Sequence, residues 1–358
     1  MKGQSLQQLA VEIERQAESK KDYIAPAQKL KMVLDGGEHL KPMLSMQNGQ
    51  AVDYGINDTA HDQLAGRLDI PRTYYDKMRQ EHPQLLATNV NGWLARSDKR
   101  FMVRTLDTKV RAVLSDRYRP LDNVDLAEAV LPIIADKRWE IRDCAMTEQR
   151  LYIKIVSKEL QALVPRDNGQ ANHVVHPGLM ISNSEIGMGA VRVTPSLHWP
   201  HCFNIALMDE AGTSRFHTGR RDERFGDLAT EFFADETRKQ DDLAFWMKVR
   251  DIVSATITEG LFTRLVEKFR QSVDAKIEGD PVKVIELTGK RFGFGEAERS
   301  SILKHLIQGG DLNLYGLSAA ITATAQDVES YDRGTELERF GGEIVELSRN
   351  QWKELQAA

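Results

Sequence analysis

Between Phe101 and Met208 the apolar residues fall in short runs rich in β-branched side chains, and from Asp227 to the end they recur at helical spacing. A chain with its strands gathered in one block and its helices in flanking blocks is expected to be α+β, with a central antiparallel β-rich core and helices before and after it. The spacing divides the chain into a mainly helical segment over 1–95, the β-rich core over 96–226 and a mainly helical region over 227–358.

In the first segment Ser5 precedes Leu6, Leu9 and Ile13 at helical intervals and acts as an N-cap. Asn57 and Asp58 cap a second helix running through Leu68, and Pro71 starts a third with Tyr74, Tyr75 and Met78 on one face. The core opens with FMVRTL and KVRAVL, joined by the turn-prone pair Asp107 and Thr108, which predicts a hairpin. Period-2 alternation lets Arg104 and Arg111 share one of its faces. A helix capped at Asn123 or Asp125 follows, then strands over 139–144 and 151–156, a loop over 160–176, and further strands broken by a turn at Gly187 and Gly189. Helix ends are expected near Gly279–Pro281, Gly293–Gly295 and Gly309–Gly310.

The formal net charge of −5 argues against nonspecific adhesion to polyanions by the chain as a whole. The charge is segregated, however. From Arg96 to Arg119 eight Lys and Arg stand against three acids, and a second basic group comprises Arg215, Arg220, Arg221 and Arg224. No window of eighteen apolar residues is present, and MKGQSLQQLAVEIERQ lacks the apolar run of a signal peptide, so a cytoplasmic protein with no membrane contact is expected. Cys144 and Cys202 are far apart and form no CxxC, so no disulfide framework is expected.

Enzyme signatures are absent from the sequence: there is no GxxxxGK[ST], HExxH or GxSxG, and GKRFGFG at 289–295 lacks the strand-then-helix setting of a dinucleotide site. No catalytic residue and no cofactor is assigned. Five histidines lie between His173 and His217, and His173, His176, His198, His201 and Cys202 are the candidate ligands, with Glu185, of a metal-dependent enzyme. Residues three apart on a strand point to opposite faces, which argues against chelation by His173/His176 or His198/His201 unless the chain turns there. NSEIG at 183–187 reads as a turn in which Asn183 and Ser184 bond the backbone and Gly187 takes a positive φ.

Several segments resemble the bacterial and phage family catalogued as domain of unknown function 932, or phage/plasmid-like proteins. They are HDQLAGRLDIPRTYYDKM at 61–78, NVNGWL at 89–94, VRAVLSDRYRPLDN at 110–123, ISNSEIGMGAVRV at 181–193, Cys202 with Asn204, and YGLSAAITATAQDVESYDRGTELERFGGEIVEL at 315–347. Where relatives read Asn-Ala-Val-Thr, this chain has Ser318, Ala319, Ala320, Ile321 and Thr322. The resemblance implies a mobile-element setting. By fold-level analogy, the hairpin, helix and further strands look like the core of phage single-strand annealing proteins.

The expected function is therefore non-catalytic binding of single-stranded nucleic acid, with single-stranded DNA as the expected partner, by a homo-oligomer that anneals complementary strands in phage or plasmid recombination. Arg100, Arg104, Lys109, Arg111, Arg117 and Arg119 are the expected phosphate contacts, with Tyr118 as a stacking ring and Arg192, Arg215, Arg220 and Arg221 as a second group. The alternatives are the metal-dependent enzyme and an interaction or inhibitory protein whose acidic C-terminal helices bind another protein.

Overall fold

The computed structural model describes residues 3–36, 41–48, 50–200, 205–208, 214–216 and 235–356. Two mostly antiparallel sheets and twelve described helices make an α+β fold, as the segregation of periods requires. Helix α1 (Leu6–Ser19) starts at the expected Ser5, whose hydroxyl accepts from the Gln8 amide while Gln8 returns a bond to the Ser5 amide.

The first sheet departs from expectation. Strands β1 (Lys21–Pro26), β2 (Leu30–Leu34), β3 (Pro42–Asn48) and β4 (Gln50–Ile56) lie within the segment read as mainly helical. They join the expected hairpin, β5 (Arg100–Leu106) and β6 (Lys109–Ser115), in the order β1-β5-β6-β4-β3-β2. A boundary at 95/96 would cut this sheet in two, so the first segment and the hairpin are one structural unit. Helices α2 (Asp58–Arg67), α3 (Arg72–Glu81) and α4 (Pro83–Arg96) cover one face, with Leu64, Tyr75, Met78, Leu86 and Val90 packed on Met32, Leu44, Val103 and Val113. Tyr75 and Met78 are buried as their spacing implies, whereas Tyr74 is exposed.

Helix α5 (Asn123–Asp136) leads to β7 (Glu140–Met146) and β8 (Leu151–Val156) of the second sheet. The expected loop over 160–176 contains the short β9 (Ala162–Val164) and the start of β10 (His173–Asn183), which pair with each other. β11 (Val191–His198), β12 (Ile205–Leu207) and β13 (Ser214–Phe216) complete the sheet, whose main path runs β12-β11-β10-β8-β7. Alternation sets its two faces. Leu151, Ile153, Ile155, Leu179, Ile181, Val191 and Val193 bury one face under α1, α5 and α6 (Asp235–Thr256). Tyr152, Lys154, Met180, Ser182, Arg192 and Thr194 occupy the other.

The C-terminal helices are α7 (Glu259–Asp274), α8 (Pro281–Phe292), α9 (Glu296–Gly309), α10 (Leu314–Thr324), α11 (Tyr331–Val345) and α12 (Arg349–Gln356). They share one core with the sheet, in which Phe269, Tyr315, Leu317 and Leu337 pack on Val175, Leu197 and Trp199. The expected glycine stops are in place: Gly293 and Gly310 take left-handed caps at φ 71° and 77°. Gly341 and Gly342 let α11 approach closely, since a β-carbon at Gly342 would collide with the Leu207 carbonyl and one at Gly341 with the Thr322 methyl. Ser318 is buried in the same contact and donates to the Gly341 carbonyl at 2.6 Å.

Candidate nucleic-acid interface

The hairpin arginines do not form the expected surface stripe. Arg104 is fully buried, and its guanidinium donates twice to Asp22 (2.8 and 3.0 Å), to Asp122 (2.8 Å) and to the Glu185 carbonyl (2.5 Å). Asp22 stands directly opposite Arg104 in the β1–β5 pairing, which supplies the carboxylate at the depth where the cation lies. Burial opposes the charge, but the hydrogen bonds and fields of Asp22 and Asp122 outweigh it and hold Arg104 above its ordinary pKa. Asp122 shows the reciprocal effect. Burial would raise its pKa, yet Arg104 and Lys20 keep it below the usual carboxylate range.

Arg111 is also buried, 2.7 Å from Glu185, whose other oxygen accepts from the Asn123 amide at 2.7 Å. Arg104 and Arg111 therefore link the first sheet to the 183–187 turn and the start of α5. Neither is a phosphate contact of an exposed stripe, because Arg104 is enclosed by Asp22 and Asp122 and Arg111 is buried beside Glu185. Glu185 is withdrawn as a metal ligand for the same reason. Arg119 is 2.5 Å from Asp242 of α6. Arg100, Lys109 and Arg117 are exposed, but Arg100 and Lys109 lie at opposite ends of the hairpin, about 20 Å apart at strand rise. Tyr118 packs against Met102, Ala112, Leu114 and Ile186, and burial pushes its phenol upward, so its ring does not stand out as a stacking platform.

The turn expected at NSEIG is present: Ser184 Oγ accepts from the Met188 amide at 3.0 Å, Asn183 donates to the Leu121 carbonyl at 2.8 Å, and Gly187 has φ 76°. Arg150 donates to the Met188 carbonyl and so ties the β7–β8 turn to this one.

A different group of cations converges on the outer face of the second sheet. One row across the strands places Tyr152 beside Ser182 and Ser182 beside Arg192, and Arg215 holds the next register position on β13. Helix α11 lies over this face and contributes Asp332, Thr335, Glu336 and Arg339 to a groove of about 280 Å³ that Arg150, Arg192 and Thr194 also line. Asp332 accepts from the Tyr152 hydroxyl at 2.7 Å and the Thr147 hydroxyl at 3.2 Å, which occupies one of the groove's two carboxylates. Thr194 and Thr335 are buried, with hydroxyls that have no hydrogen-bond partner among the described residues. Of these residues only Arg192 and Arg215 were expected. Arg150, Thr194, Thr335 and Arg339 carry no local motif, and only the packing of α11 on the sheet brings them together.

The described histidines do not assemble a ligand set, although two of them face each other across a strand pair. His173 bonds the Tyr315 hydroxyl through Nδ1, His176 donates from Nδ1 to the Leu160 carbonyl at 2.9 Å, and His198 is buried opposite His176 across the β10–β11 ladder. His201, Cys202, Arg220 and Arg221 lie outside the described residues. Among those described, no three His, Cys, Asp or Glu side chains converge as metal ligands would. Among them too, no helix is long and apolar enough to cross a membrane. No family model, curated protein or solved structure matches the chain.

Proposed function

We propose that the protein binds single-stranded nucleic acid along the groove between the second sheet and α11, without catalysis, and that it serves strand annealing in phage or plasmid recombination as a homo-oligomer. The observation that carries this reading is the convergence of Arg150, Arg192 and Arg339 on one groove, beside the register position of Arg215. Guanidinium groups are donors suited to phosphate and sugar oxygens. Such contacts read the backbone and not the bases, so binding is tolerant of sequence and falls with salt. The motif resemblance supports the mobile-element setting.

Hydrogen–deuterium exchange with and without a saturating single-stranded oligonucleotide tests the placement. Exchange is expected to slow in 147–152, 184–194 and 331–340 and to stay unchanged in 100–105. Slowing confined to 100–115 would return the interface to the hairpin and overturn the groove.

A further inference from the structure

A second cavity, of about 290 Å³, opens where the two sheets meet and shares Gln149 and Arg150 with the groove. Its walls come from the β5–β6 turn, the β7–β8 turn, the 183–187 turn and the start of α5. Leu106, Met146 and Ile186 supply apolar surface. Arg111 lines it while only 8% exposed, and Arg111 Nε has no hydrogen-bond partner among the described residues. Glu185 Oε2 lies 2.7 Å from the Arg111 terminal nitrogen, outside hydrogen-bonding geometry, so a buried donor and a buried acceptor stand side by side facing one space.

Charge pairs the two without a hydrogen bond, and a ligand that offers an acceptor beside a donor on one edge supplies the missing bonds. Apolar walls with a donor and an acceptor side by side match the edge of a nucleobase. Lys109 and Arg150 line the same cavity and match a phosphate. Of the acids nearby, Asp107 is engaged by Arg15 at 2.9 Å and by the Ser19 hydroxyl at 2.5 Å, and Glu148 is exposed.

We infer that this cavity binds one nucleotide unit, its base on Arg111 and Glu185 and its phosphate at Lys109 and Arg150. The unit is either a free nucleoside monophosphate or an unstacked nucleotide of the strand in the adjoining groove. The second source rests on the proposed function and the first does not.

Isothermal titration of the full chain with AMP, UMP, adenosine and inorganic phosphate provides the test. A nucleoside monophosphate is expected to bind at least about tenfold more tightly than adenosine or phosphate alone. Met146→Trp, which narrows the cavity without touching Arg111 or Glu185, should weaken it by about tenfold, and Lys109→Glu, at an exposed site, should reduce nucleotide binding far more than adenosine binding. If an oligonucleotide displaces bound AMP, the strand is the source; if it does not, the free nucleotide is. Absence of nucleotide binding, or binding indifferent to both variants, would overturn the inference. Retention of an oligonucleotide in that case would leave the groove standing.

Discussion

Arg104→Met is expected to lower the unfolding free energy by about 3 kcal/mol, whereas Arg100→Met, four residues away on the same strand, should change it by less than about 0.5 kcal/mol. Both remove one positive charge from the same basic segment. They differ because Arg104 is fully buried between Asp22 and Asp122, while Arg100 is exposed. Methionine fills the space of the aliphatic stem but leaves two carboxylates without their common cation. Lys20 still reaches Asp122 at 2.5 Å, and both carboxylates keep some contact with water, which places the loss at the low end for a broken buried pair.

The acid limb of the stability curve should change as well. Asp122 is held below the ordinary carboxylate value, so its contribution is complete above about pH 4 and disappears as pH falls through the folded-state value. In Arg104→Met much of that contribution is gone at every pH, so the variant and the parent should converge on acidification. Denaturant unfolding from pH 7 down to pH 3 reads both effects. An unchanged midpoint for Arg104→Met would contradict the structural role given to this arginine.

The second large effect is expected where α11 is clamped to the second sheet. Lys154 and Glu338 are 2.6 Å apart, 2% and 0% exposed. Lys154 also lies 4.6 Å over the Tyr331 ring and 4.0 Å from Asp143, whose carboxylate accepts from the Tyr331 hydroxyl at 2.5 Å. Lys154→Met strands Glu338 and should cost about 3–5 kcal/mol at neutral pH. Burial already pushes the Glu338 carboxyl upward, partly countered by Lys154, and removing the lysine pushes it further. The unfolded chain then releases a proton near the ordinary carboxyl value while the folded chain retains it, so the variant's deficit should grow as pH rises from 4 to 7. Replacing both partners, as Lys154→Met with Glu338→Met, removes the buried charges together and should recover most of the loss. A double variant as unstable as the sum of the two singles would mean that the pair does not interact.

How far these features can be read in the sequence follows from the distance over which each is determined. The β5–β6 hairpin rests on an Asp-Thr turn between two alternating runs, and Ser5, Asn57, Gly293 and Gly310 mark helix ends by their own chemistry; all are local and legible. Strands β1 to β4 are short, with Pro26 closing β1 and Pro42 opening β3, so the proline signal competes with the alternation in KDYIAP and PMLSMQN. Alternation also places Arg104 on a face of the hairpin without saying what covers it. Asp22 and the Glu185 carbonyl, each about eighty residues away in sequence, decide that, and nothing near Arg104 announces them. The groove is less legible still. Arg339 belongs to a helix rich in glutamate and shares a groove with Arg192 because Gly341 and Gly342 admit α11 so close to the sheet.

Arg104 and Arg111 tie the two sheets together, and the proposed place of the strand is the groove beside α11. A titration of a labelled single-stranded oligonucleotide tests it most directly, at one fixed salt concentration between about 50 and 200 mM. Two charge-reversal pairs are compared with the parent: Arg192→Glu with Arg339→Glu, and Arg100→Glu with Arg117→Glu. The groove pair is expected to weaken binding by about tenfold or more and to flatten its salt dependence, and the hairpin pair to change it by less than about twofold. Equal losses from both pairs, or a loss from the hairpin pair alone, would contradict it.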